Sequence, residues 1–347
     1  MIEIRKRESS YDILRIISTV AVIAIHVNAG YLQTNIQNYA GDVNITWIIE
    51  NLINFITRFS VPCFVMLSGA FVLHNKKTSD YKSFYRKSFF KIGVPFLVMC
   101  IAWIIVYGIK ALLTGDIIHF LEVIIRVAYV NLWFMPMLIG LYFIAPLIVK
   151  LKGEKQIPLI IGMVLLIWAV VSQSTSEYKL PYSLGIIISY MSYFIIGNIL
   201  YESTKKINSI YVVFGIIIVS VIGTLWRCGN HQFFSMEYYR AFFSPLVVIL
   251  SISIFLLFKQ ISINSKIIEQ ISNKTYYAYL LHTPILIFIQ YLFDKMDINE
   301  LSKIFIEIVV VSVMSFFVSD IYKNIINKII CLIKCKIAML DEKRCDI

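Results

Sequence analysis

The chain has 347 residues, of which 59% are hydrophobic and 15% charged, with a mean hydropathy of +0.78 and a formal net charge of +11. Charged residues make up about 25% of an ordinary soluble domain, so this composition excludes a soluble enzyme and indicates an integral membrane protein. The apolar segments continue to the C-terminus, which excludes a cleavable secretory signal followed by a polar mature chain.

A membrane-crossing helix needs about 20 apolar residues. Windows of that length predict ten spans, at 11–32, 46–73, 92–109, 131–149, 157–173, 183–201, 209–226, 241–258, 275–293 and 304–322. The expected fold is therefore all-α, a polytopic helix bundle with short loops. Lys and Arg divide unequally between its two sides, 23 on the N-terminal side against 7 opposite, with Arg15 and Arg58 inside spans. Positive charge accumulates on the cytoplasmic side, so both termini are expected there, with Cys228 and GNHQFFSMEYY (229–239) outside. The basic charge is then membrane-facing and not a nucleic-acid footprint. Residues 1–322 read as one membrane domain and 323–347 as a basic amphipathic tail, with 322–340 along the inner membrane surface. Six scattered cysteines show no zinc-like spacing, and no metal is expected.

The first span, DILRIISTVAVIAIHVNAG (12–30), carries Arg15 and His26. Eleven residues at about 100° each return to the same helix face, about 16 Å further along the axis. Either residue alone has a structural reading, as a snorkelling anchor or an interhelical hydrogen bond. Together on one face they read as two stations along a polar path. The second span holds Arg58, too deep to snorkel at an expected cost of about 3 kcal/mol. A functional role or a structural pairing with a carboxylate such as Glu50 would each explain it. Pro62 and Ser68-Gly69 open the backbone or admit a neighbouring helix.

The following segment, HNKKTSDYKSFYRKSFFKIGVP (74–95), is expected to be a basic cytoplasmic loop. Its Arg86, Lys87 and Lys91 among aromatic residues suit the phosphates of a nucleotide-bearing ligand. Trp133 opens the fourth span at the outer interface. The ninth begins ISNKTYYAYLLH (271–282), with Ser272 or Asn273 as its cap and His282 about two turns in.

These elements resemble those of the acyltransferase 3 family of integral membrane acyltransferases, particularly short members of the type that acetylates enterobacterial common antigen. Arg15 and His26 match the family's arginine, ten residues, histidine pattern. RFSVPCFVMLSG (58–69) matches R-x-S-V-P-L-F-F-M-x-S-G, and LWFMPMLIGLYFIAPLI (132–148) matches an L-W-F…Y…P-L stretch. YFIIGNILY (193–201) and TYYAYLLH (275–282) match Y-F-x-x-G and S/T-Y-x-x-Y-L-x-H. One frame departs: R-x-x-R-I-x-x-P reads SFFKIGVP, with Ser88 and Lys91 in place of the arginines and Arg86 and Lys87 nearby.

The resemblance implies O-acyl transfer, usually of acetyl from acetyl-CoA, to a hydroxyl of a cell-surface glycan or its lipid-linked precursor in a bacterial cell membrane. Longer members carry an extracytoplasmic hydrolase-like domain, so this membrane domain is expected to act alone, as a homo-oligomer or with a separate partner. In this reading Arg15, Arg86, Lys87 and Lys91 hold the phosphate-bearing end of acyl-CoA. His26 serves as general base or as a transient acyl-imidazole, and Arg58 stabilises the oxyanion. Ser68, Trp133 and His282 are candidates for the substrate path. A glycan or lipid-linked sugar transporter is the rival reading; it predicts discontinuous helices at corresponding positions of two halves.

Overall fold

The computed structural model describes residues 9–37, 44–115, 132–151, 156–174, 182–204, 208–229 and 242–345. Among them every regular element is helical. The expected outer loop beyond Gly229 and the side chain of Cys228 lie outside the described residues.

Helix α1 (Ser9–Gln37) is the first span. The second is composite: α2 (Ile45–Ile56), a 3-10 turn (Thr57–Phe59) and α3 (Ser60–His74). Asn44 starts α2 by accepting the Trp47 amide at 2.8 Å, a standard N-cap. Seven helical runs are long and apolar enough to cross a membrane, and three shorter apolar helices join them. These occupy the ten predicted spans: α5 (Val94–Thr114), α6 (Phe134–Leu151), α7 (Gln156–Ser174), α8 (Tyr182–Glu202), α9 (Ser209–Gly229), α10 (Pro245–Gln260), α12 (Thr275–Phe293) and α13 (Glu300–Cys345) complete the set. Between them lie the short helices α4 (Tyr81–Ser88) and α11 (Lys266–Ser272).

One stretch differs from expectation. Segment 74–95 is not a loop: after a 3-10 turn, Asp80 caps α4, which runs through a π-turn (Phe89–Gly93) directly into α5. From Tyr81 to Ile92 no Gly or Pro interrupts a run of helix-compatible residues, so the basic segment extends the third span. Helix α5 ends at Gly115, whose φ of 74° only glycine adopts without cost. At the C-terminus α13 runs for 46 residues without a break at 323. That is about 69 Å, over twice the hydrocarbon thickness. Tyr322 donates to the Pro95 carbonyl at 2.7 Å, Ile326 is fully buried, and Lys334 lies over the Phe90 ring.

The centre of the bundle is the α3–α8 pair, whose backbones touch. A Cβ placed on Gly69 would lie 1.8 Å from the Phe194 carbonyl oxygen, and one on Gly197 would lie 2.2 Å from that of Met66. Close approach of small residues is how membrane helices gain dispersion contacts. Met66, Leu67, Tyr193, Phe194 and Leu141 form the sealed core around this contact. Outward faces of α5, α6 and α9 carry exposed Ile105, Ile109, Phe143, Leu147 and Phe214, the apolar surface that faces lipid.

Candidate active site

The passage is built from two antiparallel helices. On α1, Arg15 and His26 share a face; on the second span, Phe64, Ser68 and Phe71 do so, with Arg58 in the 3-10 turn that precedes them. Phe64, Ser68 and Phe71 keep accessible surface while Val65, Met66, Leu67, Gly69 and Ala70 are buried. The Arg15 guanidinium lies 5.5 Å from the Phe71 ring centroid. At the other end, Arg58 is the charged group that acts electrostatically on His26. The levels therefore pair, Arg15 with Phe71 and His26 with Arg58, about 16 Å apart along α1.

His26 is closely surrounded by protein, yet its side chain is accessible while Ile25, Val27 and Asn28 are buried. Between the two levels, Tyr142 of α6 faces Ser68 and feels the Arg15 charge. Phe134 packs near Phe64 and Tyr279, at 6.1 and 5.4 Å between centroids. The walls are aromatic and the ends are polar, which suits an extended, mostly uncharged chain with a charged end.

Arg58 donates to Asn54 Oδ1 from Nε at 3.3 Å and from Nη2 at 3.2 Å. It also lies 5.2 Å from the Phe242 ring, and Phe242 in turn packs on Trp133 at 6.0 Å. The pairing with Glu50 is not made: Glu50 Oε1 accepts from Asn35 at 2.8 Å, and its Oε2 has no hydrogen-bond partner. The amide and the ring orient the guanidinium at the level of His26.

His282 stands beside His26, with ring centroids 5.1 Å apart. Unlike His26 it is sealed, at 1% exposure. Its Nδ1–H donates to the Tyr279 carbonyl, and Nε2 faces the Thr283 hydroxyl at 3.3 Å. Both nitrogens are thus engaged within α12, and the ring serves as a fixed wall for His26.

At the other level, Arg15 donates to Asp12 Oδ1 at 3.0 Å and to Ser272 Oγ at 3.1 Å, while Ser272 donates to Asp12 at 2.7 Å. Ser272 therefore does not cap α12; its hydroxyl ties α11 to α1. Arg15 retains 28% side-chain exposure, so its charge is oriented but still reachable. Arg86, Lys87 and Lys91 are exposed on α4 and the π-turn. Phe84, on the same helix as Arg86 and Lys87, stacks on Tyr142 at 5.8 Å.

The structure thus groups His26, Arg58, His282 and Trp133 at one level, and Ser68 between them and Arg15. Asn54, Tyr142, Phe242 and Tyr279 complete the site without having been singled out. Asn54 was findable as the residue one helical turn before Arg58, whereas Phe242 carries no local signal. Among the described residues, no group of three or more His, Cys, Asp or Glu is placed to hold a metal.

Compared with known proteins, the chain matches the family model described as an acyltransferase domain over residues 8–323. No curated protein and no solved structure gives a match.

Proposed function

Because the chain belongs to the acyltransferase 3 family, and is by that membership a membrane acyltransferase, we propose that it moves an acetyl group from cytoplasmic acetyl-CoA to a hydroxyl of a cell-surface glycan or its lipid-linked precursor. The observation that carries this reading is a two-level arrangement: a part-exposed cation at one end, an accessible imidazole near a guanidinium at the other, and aromatic side chains between. With Arg15 on the cytoplasmic side, as the charge asymmetry indicates, the thioester of a threaded donor reaches His26. The enterobacterial common antigen type of acetylation rests on the motif resemblance alone.

The chemistry follows from the placement. A neutral His26 nitrogen takes the proton of the acceptor hydroxyl as its oxygen attacks the thioester carbonyl. Negative charge gathers on the carbonyl oxygen, and Arg58 stabilises it. Collapse breaks the C–S bond, and the His26 imidazolium returns its proton to the leaving thiolate. The product is an ester and free CoA, and His26 ends neutral. His282, held by Tyr279 and Thr283, keeps the His26 ring from turning away.

The rival transporter reading is weakened by where the helices are irregular. Among the described residues, the irregular turns within spans, at Thr57–Phe59 and Phe89–Gly93, fall in consecutive spans of one half of the chain, whereas a repeat-built carrier places its breaks in both halves.

The test is transfer of radiolabelled acetyl from acetyl-CoA into membrane glycans. Wild-type protein should label them, while His26→Gln of equal abundance should not; labelling by neither sinks the acetyl-CoA assignment. Label on the protein itself, formed without acceptor, released by neutral hydroxylamine and lost in His26→Gln, would replace direct transfer by an acyl-histidine relay. Membrane-impermeant thiol labelling of intact cells should modify Cys228 and spare Cys345. The opposite pattern would reverse the orientation.

A further inference from the structure

The end of the passage at Arg15 is more than a charged mouth. Phe71 is the last residue of α3 to face the passage, one helical repeat beyond Phe64 and three residues beyond Ser68. Its ring is 39% exposed, although it sits among other aromatic groups. Tyr11 meets it edge-on at 5.8 Å and Tyr201 at 5.7 Å. His74 continues the array, 5.1 Å from Tyr201, with its Nδ1 2.9 Å from Glu202 Oε1. Beside the ring stands the part-exposed Arg15, and just past the end of α3 come exposed Lys76 and Lys77.

This combination has a specific chemistry. An accessible aromatic ring suits a planar heterocycle, and guanidinium and ammonium groups next to it suit phosphate oxygens. A donor whose thioester lies at His26 has spent about 16 Å of extended arm by the level of Arg15. Phe71 stands at that level, beside Arg15. We propose that Phe71, Tyr201 and Arg15 form the subsite for the purine base and phosphates of a nucleotide-bearing acyl donor, with Phe71 as the stacking platform. The proposal rests on the acyl-CoA reading above and moves the nucleotide from Arg86, Lys87 and Lys91 to the end of α3.

Two measurements on the full chain purified in detergent test it. Calorimetric titration with CoA should give about tenfold weaker binding for Phe71→Ala, within the range for losing one stacked base. Phe71→Trp, which restores a larger π-face, should bind within about twofold of wild type. In the transfer assay, Phe71→Ala should lower kcat/KM for acetyl-CoA about tenfold and leave that for S-acetyl-phosphopantetheine, which lacks the nucleoside, unchanged. Unchanged CoA binding in Phe71→Ala overturns the stacking role. So does a Trp variant as weak as the Ala variant, or an equal loss with both donors, since either makes Phe71 a packing residue. Absence of CoA binding by the wild type would be a different failure, that of the donor assignment itself.

Discussion

The two ends of α1 handle buried polarity in opposite ways. Around Arg15 the cation is reachable: the guanidinium is held by the buried Asp12 and Ser272 but keeps 28% of its surface. At the other end, beyond His26, Glu50 and Glu307 are both at 0% exposure. Asn35 donates to Glu50 at 2.8 Å and to Glu300 at 3.0 Å, Tyr31 donates to Glu307 at 2.7 Å, and Asn28 donates to the Glu50 carbonyl at 2.9 Å. These bonds run from α1 to α2 and α13. A charge that stays reachable can serve a ligand, whereas a carboxyl sealed between helices serves the assembly that encloses it. The first end is built for traffic and the second for attachment.

Four experiments break or sharpen that contrast. The largest effect is expected midway, at His26. His26→Ala should lower acyl transfer at least about 10²-fold, the low end for loss of a general base, with His26→Gln nearly as inactive. A Gln variant with near wild-type turnover would make His26 a structural hydrogen-bonder and move the base elsewhere. His282→Ala should cost about tenfold in kcat with donor KM unchanged, because a positioning ring acts on orientation and not on binding. A loss as deep as that of His26→Ala would give His282 a share of the proton transfer.

At the attachment end, Tyr31→Phe removes a hydrogen bond to a carboxyl at a cost of about 1.5–3 kcal/mol. Its thermal unfolding in detergent should come several degrees lower, while the activity of the folded fraction stays the same. A raised KM with unchanged unfolding would show that this end also meets a substrate. The smallest effect is expected from neutralising Arg86, Lys87 and Lys91 together. Donor KM should rise no more than about threefold, as for exposed charges beyond a screened distance. A rise as large as that of Phe71→Ala would return the phosphates to α4.

Much of this was legible beforehand, for identifiable reasons. Hydropathy locates spans because the bilayer demands about 20 apolar residues whatever the fold, and all ten predicted spans are helical. The Arg15–His26 spacing located one wall of the passage because helix periodicity is local. Arg58 stood out by its cost. The helical nature of 81–93 was missed because basic and aromatic residues between spans read equally well as a loop. His282 gave no sign of its place beside His26, since that contact joins α1 to α12 across more than 250 residues. Glu307 was overlooked inside an otherwise apolar span, although an intramembrane carboxyl is itself a signal.

The glycine contact between α3 and α8 bears on what this passage can become. With Gly69 against the Phe194 carbonyl and Gly197 against that of Met66, there is no side-chain layer between the two backbones to trim or enlarge. The two helices form a rigid keel, and one side of the slot has a set position. Widening the slot for a longer acyl group must then come from the facing rings, Phe134, Tyr142 and Tyr279, which are whole side chains that substitution can shorten. Donor range in such a protein is free to drift on one flank only, and a Phe134→Ala variant that accepts longer acyl chains, beside a Gly69→Ala variant that fails to assemble, would record that asymmetry.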